Sequence, residues 1–173
     1  MTPTEYLLNA AILVFVLYSN LGTHVFGRRQ FLRPILLSVG IGSTFLGTIP
    51  AAGNDRVLEA AGLIAGLTLG VLSALLVRVR RTDTGVTTTA GAGFAALWIA
   101  AIGGRIAFAY GSDHWFAGSI VSFSRTHDIT SADAWTSAFV LMAISMVLAR
   151  VLVTGAQAAK LQGGLSTRTP VAA

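Results

Sequence analysis

Long apolar blocks alternate with short polar breaks along this chain, and each block approaches the ~20 residues that a helix needs to cross a bilayer. Five blocks predict five spans, at about 5–27, 34–53, 57–77, 88–110 and 132–154. The breaks carry the charges and the turn formers: "RRQFLR" after the first block, "NDR" after the second, "RVRRTDTG" after the third and "GSDHWFAGSIVSFSRTHDIT" before the last. The expected fold class is an all-α membrane protein, a bundle of five transmembrane helices. It forms one domain over residues 1–162, with a disordered tail at 163–173.

Local signals support the first two boundaries. Thr2 can cap a helix, Pro3 suits the first helical position and Glu5 completes a capping box. A cleavable leader needs a basic start, whereas the first basic residue here is Arg28, beyond the apolar run; span one is therefore expected to be retained. Pro34 opens the second span, and Pro50 bends or ends it. "TDTG" reads as a turn between the third and fourth spans.

Charge orients the bundle. Threading puts Arg28, Arg29, Arg33, Arg78, Arg80, Arg81, Arg150, Lys160 and Arg168 on one side and only Arg56 and Arg125 on the other. The positive-inside rule makes the rich side cytoplasmic, so the N-terminus is outside and the C-terminus cytoplasmic. Composition agrees: 54% of residues are hydrophobic, 11% are charged and the mean hydropathy is +0.72, too little charge to cover a soluble domain. The net charge of +5 sits at helix ends rather than on one face, so a lipid bilayer is the expected partner and nucleic acid is not. The absence of cysteine excludes disulfides, thiolate metal sites and thiol relays. Eleven arginines against one lysine, with abundant alanine and glycine, fit a GC-rich bacterial gene and hence a bacterial inner membrane.

Three groups of residues stand out within the spans. Gly62, Gly66 and Gly70, followed by Ala74, form a four-residue stripe that lets helix backbones approach closely. The stripe serves packing inside the bundle or a homo-oligomer interface, and spacing alone does not choose. Asn9, Asn20 and His24 share one face of the first span, as interhelical hydrogen bonding or as the lining of a solute or proton path. Arg105 interrupts "ALWIAAIGGRIAFAY" about 7.5 Å below the end of span four, counted at 1.5 Å per residue from Tyr110. It leans toward its helix N-terminus, away from the nearer water, which favours a partner over snorkelling. Glu59 and Asp133 are the acids nearest in depth, with backbone carbonyls the other option. Arg105, Glu59 and Asp133 thus form the candidate polar pocket, although Asp133 also pairs with Thr130 as a capping box.

In the loop before the last span, Trp115, Phe116, Ile120 and Phe123 can form one face of a short interfacial helix. Asp113, His114, His127 and Asp128 lack the spacing of a metal site, so no metal is expected. No cofactor is expected either, since His24 has no histidine partner for a haem on its side. No phosphate-binding loop, nucleophile elbow, zinc-protease motif or intramembrane carboxylate pair occurs, which leaves an enzyme without a nucleophile or base.

The layout resembles the CcdC-like family of small bacterial integral membrane proteins. The resemblance rests on "RRQFLRP" between the first two spans, Pro50, the glycine-rich third span closed by "RVRR", "TDTG", Arg105, and Arg150 followed by Gln157 and Leu161. It covers roughly residues 25–162 and implies a structural or accessory membrane role, with unassigned biochemistry and no catalytic residues to carry over. The alternative is a small ion or solute permease or channel, which a thin bundle would form as a homo-oligomer.

Overall fold

The computed structural model describes residues 52–82 and 85–163, together with 14, 18, 22–25, 32–36 and 38–40. In chain order the elements are strand β1 (Gly22–Val25), helix α1 (Asp55–Leu75), strands β2 (Val77–Thr82) and β3 (Gly85–Ala90), helix α2 (Ala92–His114), short helix α3 (Ala117–Thr126) and long helix α4 (Ala132–Gly163). Residues 14, 18, 32–36 and 38–40 are also helical. The chain is mostly helical, and α1, α2 and α4 are each long and apolar enough to cross a membrane.

Helix α1 is built inside out relative to a helix of a soluble protein. Its inward face carries Asp55, Glu59, Gly66, Gly70, Ser73 and Ala74. Its outward face leaves Val57, Ile64 and Leu75 62–65% exposed. Small and polar groups inward with branched aliphatics outward is the arrangement that lipid favours. Thr68 on the outward side needs no water, because its hydroxyl donates to the Ile64 carbonyl at 2.9 Å within the helix.

The main packing partner of α1 is α4. An added Cβ on Gly62 would overlap the carbonyl oxygen of Ala138, one on Gly66 that of Met142, and one on Gly70 that of Met146. Each pair is 76 residues apart, so the two helices run parallel and in register. Parallel neighbours require a return between them, which α2 supplies. Ser145 adds a polar tie across the seam, its hydroxyl donating to the Leu63 carbonyl at 3.1 Å.

One end of the bundle is closed by a sheet. The strand order is β1-β3-β2, antiparallel throughout, with Gly22 and Val77 both opposite Ala90, and with Thr82 opposite Gly85 at the hairpin tip. Val77 and Ala90 pack with Phe94, Trp98 and Met146 into an apolar core cluster. The opposite sheet face presents Arg78 and Arg80 beside Thr87 and Thr89. The other end of the bundle, the loop end, gathers the start of α1, helix α3 and the start of α4. There Asn54 N–H donates to the Asp128 carbonyl at 3.0 Å. Gly53 has φ +52°, and a side chain there would meet the Asp128 backbone, so glycine is needed twice over.

Several expected boundaries move. The sheet departs from an all-α fold. "VRVRRT" is not a basic helix end but a strand with period-2 alternation, and "GVTTTA" is a run of β-branched residues. Residues 88–90, expected in the fourth span, therefore belong to β3; Gly91 is extended, and α2 starts at Ala92. Residues 22–25, expected at the end of the first span, form β1. The last helix reaches Gly163 rather than residue 154, because "GAQAAKLQ" is composed largely of good helix formers. The tail beyond Gly163, the rest of the first two spans, and Asn9 and Asn20 lie outside the described residues.

Candidate functional site

The polar chemistry of the bundle concentrates at the loop end of the α1–α4 seam. Asp55, the first residue of α1, is fully buried. Its carboxylate accepts from the Thr130 backbone N–H at 2.8 Å and from the Thr130 hydroxyl. This pair pins the chain entering α4 to the start of α1. The cap of α4 is Ser131, whose Oγ accepts from Ala134 N–H at 3.3 Å. Thr130 is thus occupied by Asp55 instead of capping α4 with Asp133, which stands exposed in the first turn.

One turn along α1, Glu59 is only 8% exposed, and its Oε1 has no hydrogen-bond partner among the described residues. By the seam register it lies level with Trp135, between the buried Ala134 and Ala138. An open groove of about 640 Å³ reaches this end of the seam, lined by Asn54, Ser124, Arg125, Asp128 and Thr130 among others. Thr130 therefore touches both the groove and the buried Asp55.

The three residues of the candidate polar pocket are not joined. Among the described residues no hydrogen bond or ion pair links Arg105 to Glu59 or Asp133. Glu59 is buried in the α1–α4 seam, Asp133 is exposed, and Arg105 is half-buried on α2. Helix α2 also continues to His114, nine residues past Arg105, so the Cα of Arg105 sits about 13 Å from that helix end at about 1.5 Å per residue. The shorter depth expected from Tyr110 does not hold. His24 lies in β1, its backbone opposite Thr88, so the helical spacing that joined it to Asn20 does not extend through this position.

Helix α3 is amphipathic, and its aromatic side meets the rest of the loop end. Phe108 on α2 packs its ring 5.8 Å from Phe116, 5.4 Å from Trp135 and 5.1 Å from Phe139. Trp135 Nε1–H donates to Ser124 Oγ at 3.2 Å, tying α3 to α4. Gly111 makes room for the reversal into α3: the Phe116 ring occupies the space where a Cβ would stand. Trp115 remains 74% exposed, a position suited to a membrane–water boundary. His114 and His127 follow one plan. Each ring nitrogen Nδ1 lies 3.0 Å from the carbonyl four residues earlier, and each ring stacks on the aromatic side chain of that residue, Tyr110 or Phe123. Among the described residues no three His, Asp or Glu side chains converge as a metal set would.

At the sheet end, two interactions had no expectation attached. Trp98 Nε1–H donates to the buried Ser73 hydroxyl at 3.3 Å, and the Arg150 guanidinium lies 4.5 Å from the centre of the Phe94 ring. The charge count places Arg150 with the cations of one side; in the fold it is half-buried at the sheet end, beside the Phe94 ring. The only sequence signal was its place well inside an apolar run that continues through "VLVTGAQAA". Comparison with protein-family models, curated proteins and solved structures finds no match to this chain.

Proposed function

We propose that this chain is a multi-pass protein of the bacterial cytoplasmic membrane with a structural or accessory role, as its resemblance to the CcdC-like family implies. Five spans run with the N-terminus outside and the C-terminus cytoplasmic, and the sheet end is the cytoplasmic end. Arg78, Arg80 and Arg81 in β2 support that orientation, as does Lys160 near the end of α4. At 32 residues, α4 is about 48 Å long against a hydrocarbon core of about 30 Å, so its last turns stand beyond the bilayer beside the sheet.

The observation that carries the accessory reading is the α1–α4 seam. Three consecutive glycine contacts bring one backbone against the other and leave no space for a solute between these helices. Such a pair suits a rigid scaffold better than a gate. Purified full-length protein in liposomes is expected to pass monovalent ions and small solutes no faster than protein-free liposomes. Saturable flux would replace this reading with the homo-oligomeric permease.

A further inference from the structure

Glu59 is the group whose chemistry the packing leaves incomplete. The residue is only 8% exposed, and its buried Oε1 has no hydrogen-bond donor among the described residues. A buried carboxylate with neither a cation nor a full set of donors is strongly unfavourable, and taking up a proton removes the charge that makes it so. We propose that Glu59 is a proton-binding site within the helix seam, supplied from the loop-end groove through Thr130 and Asp55. The inference goes beyond the accessory role and stands on α1, α4 and the loop before α4 alone.

The surroundings favour a proton over an ion pair. On α1, Asp55 is one turn earlier on the same face, so the two Cβ atoms are roughly 5–6 Å apart. Two carboxylates this close and largely shielded from solvent disfavour a double negative charge. Arg56, the nearest cation in sequence, is exposed. From α4, Glu59 meets the level of Ala134, Trp135 and Ala138, while Asp133 is exposed. On α2, Arg105 makes no bond to it. Arg125 and Asp128 line the groove rather than the seam. Thr130 borders the groove and bonds Asp55, and Asp55 precedes Glu59 by one turn on the same face, with no hydrogen bond between the two carboxyls among the described residues. A proton from groove water passes to the Asp55 carboxylate and then to the Glu59 carboxylate; no electrons are exchanged and no other bond breaks.

The chain contains only two glutamates, Glu5 and Glu59, so isotope labelling isolates the group. Infrared spectra of the full-length protein in lipid, labelled with 13C-carboxyl glutamate, should show the C=O stretch of a protonated carboxyl at neutral pH. That band should persist in Glu5→Gln, disappear in Glu59→Gln and fade as pH is raised. Glu59→Gln keeps the shape and neutrality of the protonated acid, so its melting temperature should match the wild type, whereas Asp55→Asn should melt lower. A band absent from the labelled wild-type protein at every pH would overturn the proposal, and that measurement needs no variant to fold. So would a Glu59→Gln protein that melts as low as Asp55→Asn, or a wild-type protein that lacks the band but is stabilised by added sodium, which would make the ligand a metal cation. Liposome flux does not enter any of these outcomes, so this proposal and the accessory role fail separately.

Discussion

Gly66→Ala adds one methyl group, the smallest perturbation that tests the seam. The new Cβ would overlap the Met142 carbonyl oxygen and Ser145 Oγ, and would stand 2.8 Å from the Met142 carbonyl carbon, where ordinary contact begins near 3.4 Å. Backbone atoms of a regular helix cannot move aside one at a time, so relief requires the helices to separate locally by roughly half an ångström or more. Overpacking of this kind costs about 1–3 kcal/mol. Displacing Ser145 also weakens its bond to the Leu63 carbonyl, worth about 0.6 kcal/mol in a membrane protein. The expected loss is therefore about 1.5–3.5 kcal/mol. The internal control is Gly104→Ala on α2, where an added Cβ meets nothing within 4 Å. That change should be neutral or stabilising by up to about 1 kcal/mol, since glycine is a poor helix former. Unfolding of both variants in the same detergent, followed by circular dichroism, gives the comparison. If Gly66→Ala proves as stable as Gly104→Ala, α1 and α4 do not meet as described, and the parallel register built on the glycine contacts goes with it.

Other residues give independent checks. Asp55→Asn should destabilise by about 1.5–3 kcal/mol, as for a hydrogen bond to a charged group, while Asp133→Asn on the exposed first turn of α4 should stay within about 0.5 kcal/mol. Arg105→Gln and Asp133→Asn should be additive within about 0.5 kcal/mol in a double-mutant cycle; a coupling beyond 1 kcal/mol would restore the pairing that the structure does not contain. Arg150→Met removes the guanidinium from Phe94 and should cost about 1–2 kcal/mol by thermal unfolding, with Arg150→Lys recovering only part of it, since lysine lacks the planar group. Periplasm-specific reporters fused within 113–128 should be active and those fused at residue 83 or 160 silent; the reverse pattern would invert the bundle.

What the sequence determined by itself was local in origin. Apolar blocks of spanning length carry α1, α2 and α4, because a helix in lipid satisfies its backbone internally and needs only length and composition. The glycine spacing marked a close approach for the same reason: a four-residue period on one helix states that something packs there. Which surface packs there was decided by tertiary structure, since residues 62–70 and 138–146 are joined by a register of 76 residues that no short window encodes. The sheet could have been read in part from "VRVR" and "TTT", but β1 lies some 60 residues from its partner strand, and strand pairing is a property of both chains of the ladder. The roles of the charged groups were the least legible. Asp55, Asp133 and Glu59 are all acids at helix starts in the sequence. Only the fold gives the first a threonine, leaves the second exposed and buries the third in the seam with one carboxyl oxygen lacking a donor among the described residues, because burial and partners depend on what the rest of the chain brings alongside.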